Sequence, residues 1–204
     1  MLISRNGHAP VVHPTAIVAP SAHVNGDVTI GAESFVDYNV VIASAGPPIT
    51  IGERVIILAN AVIRSTSGEA RSPFSVHIGA ETLISPLCAL AGCTVGANCY
   101  IATGSIVLQG AEMGDGVRVG AGAIVHAGAV IPPEGRVGLR HLAIPTAEGV
   151  LITPDVAAAR GALTTADFFT EVFGQPPQDQ TALHRHVQAT LRAEVRAWHD
   201  EPLG

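Results

Sequence analysis

Aliphatic residues recur at every sixth position over most of this chain: Val12, Val18, Val24, Ile30, Val36 and Ile42, then Ile51, Ile57 and Ile63, then Ile78, Ile84 and Leu90. After one step of five they resume at Val95 and continue through Ile101, Val107, Met113, Val119, Val125 and Ile131. Four residues beyond each stands, as a rule, a small or β-branched side chain, as at Ala22, Val40, Ala61, Thr82, Cys88, Cys99, Ser105 and Ala123. An amphipathic helix repeats at 3.6 residues, and a half-buried strand alternates for a few residues before it turns. A six-residue period held from residue 12 to residue 131 fits neither and is the pattern of a parallel β-helix.

In such a fold each hexad supplies a short strand and a corner, three hexads close a triangular coil, and coils stack about 4.8 Å apart. The pattern predicts an all-β solenoid, a left-handed parallel β-helix of about six triangular coils over residues 9–145, followed by C-terminal α-helices over residues 150–204. The left-handed sense departs from the usual right-handed crossover. Every third hexad then shares a face. The first face runs through Val12, Ile30, Ile51, Ile78, Val95, Met113 and Ile131, most of them followed by glycine. The second runs through Val18, Val36, Ile57, Ile84, Ile101 and Val119, and the third through Val24, Ile42, Ile63, Leu90, Val107 and Val125.

The irregular steps all fall between the third face and the first: the extra residues around Gly46-Pro47-Pro48, the loop from Ser65 to His77, and the missing residue before Val95. Interruptions gathered on one edge of a solenoid mark its functional side. The stretch Ile51–Ala91, which contains the longest of them, is where a site is expected. Beyond Pro145 the pattern turns helical, with a cap-like Thr153, an alanine-rich run to Phe173, and a second helix capped by Asp179 whose apolar stripe is Leu183, Val187, Leu191, Val195 and Trp198.

Composition narrows the picture. The 204 residues are 48% hydrophobic but only 4% aromatic, with 22 glycines, so the core is built from small aliphatic side chains. A net charge of -6 with 11 Lys plus Arg and no basic run gives no electrostatic footprint for nucleic acid. Three cysteines without metal-type spacing suggest neither a disulfide framework nor a zinc ribbon. No leader and no apolar run of about 20 residues is seen, so a soluble cytoplasmic protein with no membrane contact is expected.

The opening APVVHPTAIVAPSAHVNGDVTIG, the segment DYNVVIASA, the insertion after Arg64, the triplet AGC with its five-residue step, and the ending AGAVIPPEGRVG resemble the γ-class carbonic anhydrases. The resemblance covers about residues 9–145. It implies a homotrimer with sites at the subunit interfaces, where active members hold a divalent metal on three histidines. The matching positions here are Arg64, Pro86 and Ala91, and no metal is expected on them. The family's arginine and aspartate correspond to Ala43 and Ala45, and its glutamine and aspartate to Leu58 and Ala59. The substitutions turn a polar metal pocket into an apolar one with a guanidinium at one end, which suits a small organic anion.

Three residues are candidates for chemistry. Arg64 stands where a metal ligand stood, with Glu69 or Asp37 as an ion-pair partner under a purely structural reading. His77 ends the loop and can serve as a general base. Tyr38 retains the family's Tyr-Asn character. Asp37, Asn39, Leu58, Ser85, Pro86, Ala91 and His126 complete the expected binding surface. Cys88 and Cys99 are expected in the core, and Cys93, at the irregular corner, is a candidate nucleophile. Three functions follow: a metal-free, cofactor-free homotrimer binding a small carboxylate or acyl ligand, with lyase- or transferase-like chemistry; a CoA-dependent hexapeptide acyltransferase; or a non-catalytic scaffold.

Overall fold

The computed structural model describes residues 1–5, 7–68 and 71–163, together with residues 181, 182, 184, 185, 187–189, 192 and 196. The chain winds into a parallel β-solenoid with three sheets of seven, seven and nine strands. The hexad arithmetic is reproduced residue by residue. On the first face Val12 pairs with Ile30, Ile30 with Ile51, Ile51 with Ile78, and Ile78 with Val95. On the third face Ile42 pairs with Ile63, and Ile63 with Leu90.

Seven coils are complete, and Leu2–Ile3 opens a further turn before the first of them. Val137 extends the second face by pairing with Val119, and Ala143 extends the third by pairing with Val125. The Pro132-Pro133 pair ahead of them obscures the repeat. The third sheet also takes in Leu2–Ile3 at one end and the antiparallel strand Gly149–Thr153 at the other. A helix over Val156–Leu163 follows. Its N-cap is Asp155, whose carboxylate accepts from the Ala157 amide at 2.8 Å, and not Thr153, whose hydroxyl accepts from the Asp155 amide. Of the second expected stripe, Leu183, Leu191, Val195 and Trp198 lie outside the described residues.

Inward positions are sealed: Ile42, Ile57, Ile63, Ile78, Ile84 and Ile101 are all fully buried. Burying each such side chain contributes roughly 1.5–3 kcal/mol. Small residues at the corners leave space for the next coil, and buried hydroxyls there link coils. Ser34 donates to the Gly52 carbonyl at 2.9 Å and accepts from the Val55 amide, and Thr82 does the same with Gly96 and Cys99. Corners after the second face need a left-handed residue, supplied by Asn39, Asn60 and Leu87 with φ of 58°, 61° and 62°. Among the described residues no helix is long and apolar enough to cross a membrane.

Candidate functional site

The loop after Arg64 is a β-hairpin. Thr66–Gly68 runs antiparallel to Arg71–Phe74, with Thr66 opposite Phe74. It folds back over the edge between the third and first faces because that edge has been cleared to receive it. Gly92, at φ +51°, sits where a β-carbon would stand 2.4 Å from that of Phe74, and one at Gly110 would stand 3.2 Å from the Phe74 ring. The five-residue step before Val95 therefore makes the seat for Phe74. The sequence signalled an insertion and a deletion on one edge; that one accommodates the other is visible only in three dimensions.

The candidate residues fall into three groups on one chain. Arg64 is half-buried on the third face, in register between Ala43 and Ala91, and its carbonyl accepts from the Gly92 amide at 2.8 Å. Half-buried His126 lies two coils beyond Ala91 and three beyond Arg64 along that row, after Leu108, with Nδ1 3.4 Å from the Ala127 carbonyl. The second group occupies the corner between the second and third faces, stacked coil upon coil: Asp37, Tyr38 and Asn39, then Leu58, then Ser85 and Pro86. Tyr38 is 58% exposed, and stands at the corner after the strand Phe35–Val36 rather than within it. The Asp37 carboxylate accepts from the Tyr38 amide at 2.7 Å, and the Asn60 amide bonds the Tyr38 carbonyl in the next coil. Ser85 is buried.

His77 forms the third group alone. It projects from the first face, exposed, in register between Thr50 and Thr94. Within one chain the structure thus sets Arg64 beside Ala91, leaves His126 three coils away on the same row, stacks Tyr38 with Asp37, Asn39, Leu58, Ser85 and Pro86, and joins none of these to His77. Glu69, the suggested partner of Arg64, lies outside the described residues.

A zinc ion does not fit the positions the resemblance assigns to it. Arg64 and Ala91 are register neighbours and Pro86 stands at a corner, and none carries an imidazole, thiolate or carboxylate. Among the described residues no group of three His, Cys, Asp or Glu side chains is placed to hold a metal.

Cys93 is not the nucleophile that its corner position suggested. It is buried, and burial pushes its thiol up to about 12 from 9.0. Burial also raises Cys88 and Cys99. The folded state therefore keeps these thiols protonated at pH values where the unfolded chain has lost the protons. Stability is full below the unfolded pKa, about 8.5, and falls as pH rises from there toward 12. Urea melts at neutral pH and at about pH 10.5 are expected to differ, with Cys93 contributing up to ~1.4 kcal/mol per pH unit. Replacing Cys93 by alanine is expected to flatten that slope; an unchanged slope would contradict the burial argument.

Two rows of apolar side chains cross the outer surface. On the second face Ile17, Phe35, Ile56, Leu83 and Tyr100 stand in register, with Ile17 63%, Ile56 41% and Tyr100 38% exposed. On the third face Val41, Val62, Ala89, Ile106 and Ile124 form a second row. The first face instead presents Thr29, Thr50, His77, Thr94 and Glu112. The amphipathic character of the prism was legible in the sequence as outward-facing hexad positions, but was not part of the expected site.

No protein-family model matches the chain. An uncharacterized protein of Dictyostelium discoideum is 30% identical over 94 residues, 46% of this chain and 38% of that protein. The uncharacterized transferase YtoA of Bacillus subtilis is 42% identical over 57 residues, 28% of this chain and 33% of YtoA. The chain thus spans less than half the length of either curated relative. Among solved structures, a hexapeptide transferase family protein from Anaplasma phagocytophilum is 18% identical, covering 98% of each chain with a TM-score of 0.39. PerB from Caulobacter crescentus, in complex with CoA and GDP-perosamine, is 27% identical over 71% of this chain and 56% of that one, with a TM-score of 0.37.

Proposed function

We propose that the protein is a CoA-dependent acyltransferase of the hexapeptide-repeat kind, acting on a small acceptor. The observation that carries this reading is the place of His77: an exposed imidazole on a flat polar face, held in register by two threonine-bearing strands, immediately after the hairpin that folds onto the functional edge. The likeness over 57 residues to the uncharacterized transferase YtoA supports it. His77 would accept the proton of an acceptor hydroxyl or amine as that atom attacks the thioester carbonyl. The carbon–sulfur bond then breaks, and the imidazolium returns the proton to the CoA thiolate. Thermal stabilisation by acetyl-CoA and CoA, followed by the rate of thiol release, tests the reading; no stabilisation by either would sink it.

A homotrimer is part of the proposal. The apolar rows on the second and third faces suit a contact between unlike faces of successive copies, and such contacts generate closed rings when the rotation closes. A ring brings the corner bearing Tyr38 of one copy toward the neighbouring copy, as a composite site requires. Ile56→Glu, which places a charge within the second-face row without touching the core, is expected to yield folded monomer by sedimentation equilibrium; wild type sedimenting as monomer would refute the assembly.

A second reading is favoured by a separate observation. Arg64, between Ala43 and Ala91, presents a cation beside two methyl groups, at a position that the resemblance to the γ-class carbonic anhydrases matches to a metal ligand. On that reading the site receives a small carboxylate without acyl transfer. Binding of carboxylates that is lost in Arg64→Ala, with no response to CoA, would select it; failure of both ligand classes would leave a scaffold.

A further inference from the structure

The hairpin after Arg64 is joined to the solenoid differently from every coil. Its strands, Thr66–Gly68 and Arg71–Phe74, form a sheet of their own and enter none of the three solenoid sheets. Among the described residues no backbone hydrogen bond links either strand to a coil. The bonds that fix its two ends lie just outside it: the Gly92 amide donates to the Arg64 carbonyl at 2.8 Å, and the Val76 amide to the Pro48 carbonyl at 3.1 Å. A two-stranded hairpin is marginal by itself. This one is weakened further, because its register shifts between Thr66 and Gly68 and Pro73 has no N–H to donate.

The contact that seats the hairpin is the half-buried Phe74 side chain, which reaches from Gly92 to Gly110 and so spans two coils. Thr66 rests on the same floor. Its Oγ1 lies 3.2 Å from where a Gly92 β-carbon would be, and it is sealed from water with no hydrogen-bond partner. A hydroxyl left in that condition works against the state that seals it. The seated hairpin is therefore held by an aromatic contact and opposed by an orphan oxygen, with no ladder to the coils behind it. Segments so balanced open locally while the core stays folded. The seat adjoins Arg64, since Gly92 follows Ala91, the register partner of Arg64.

We infer that this hairpin is a releasable strap with two positions, seated on Gly92 and Gly110 or lifted from them, and hinged at Arg64 and Val76. Lifting it uncovers the glycine seat beside Ala91 and Arg64, so the strap sets how open that edge of the solenoid is. The assignment needs neither acyl transfer nor carboxylate binding. Native-state trypsin digestion of the full chain tests it, because Arg71 lies in the strap while Arg64 and Arg118 lie in solenoid strands. Cleavage after Arg71 is expected to precede cleavage after Arg64 and Arg118, at a rate that reads the population of the lifted form. Phe74→Ala is expected to speed that nick about tenfold or more while leaving the urea midpoint of the solenoid unchanged. Thr66→Val, which keeps the shape and removes the orphan oxygen, is expected to slow it about tenfold. Cleavage after Arg71 no earlier than at the other two arginines, or at an unaltered rate in Phe74→Ala, overturns the strap. So does a lowered urea midpoint in Phe74→Ala, which would make the ring part of the solenoid core. Unchanged or faster nicking in Thr66→Val overturns it as well, since the hydroxyl would then not oppose seating.

Discussion

Gly79→Ala is expected to destabilise the solenoid by ~3 kcal/mol, a large share of the stability of a domain this size. Gly79 follows the inward Ile78 at the corner between the first and second faces, one member of a column with Gly31, Gly52, Gly96 and Gly114. A β-carbon there would stand 2.4 Å from the Ala97 amide nitrogen and 2.5 Å from the Gly96 carbonyl carbon. These are backbone atoms of the next coil, which cannot rotate away as a side chain can. The chain must either open the coil spacing, weakening bonds such as Gly79 N–H to Val95 at 2.8 Å, or strain the corner. Gly104→Ala makes the contrasting control: nothing lies within 4 Å of its β-carbon, and its cost is only that of the left-handed conformation at φ +70°, about 1 kcal/mol. Urea denaturation of the two variants checks the contrast, and equal losses would refute the crowding argument.

His77→Gln is expected to lower acyl transfer from acetyl-CoA by roughly 10²–10⁴-fold while leaving the fold and CoA binding intact. The side chain is exposed and the strand Val76–Ile78 is anchored on both sides, so the substitution removes a proton acceptor without disturbing a neighbour. Thermal stabilisation by CoA at about 100 times its Kd is expected to be ~2.7 kcal/mol in wild type and variant alike. Thiol release can be followed with a disulfide reagent, because the three cysteines of the folded chain are buried. Wild-type rates in His77→Gln would remove His77 from the mechanism. Loss of CoA binding in the variant would make it a binding residue instead.

The site was less legible than the fold, for a physical reason visible in three residues. Arg64, Tyr38 and His77 lie within 40 positions of one another, and a linear reading invites them into one pocket. On a triangular prism a shift of a few residues turns a corner, so they project in three directions. Only packing between copies can bring such directions together. Cys93 misled for a related reason: an irregular corner looks exposed along the sequence, yet the five-residue step draws this thiol inward. Phe74 carried no signal by itself, because its seat is made by Gly92 and Gly110, which belong to the next two coils.

The stretch Ile51–Ala91 retains its place as the irregular edge, now with a folded hairpin where a loop was expected. The sequence alone determined the period, the three faces, the strand register and the buried aliphatic ladder, because a six-residue repeat allows one inward position per strand and stacking like on like leaves no other alignment. Tertiary structure alone decided how many coils close, where the hairpin rests, which thiols are sealed, and how each sheet ends. Those outcomes depend on contacts between coils, whose partners are separated by 18 residues or more in most of the chain, and no local pattern encodes which of those contacts will form.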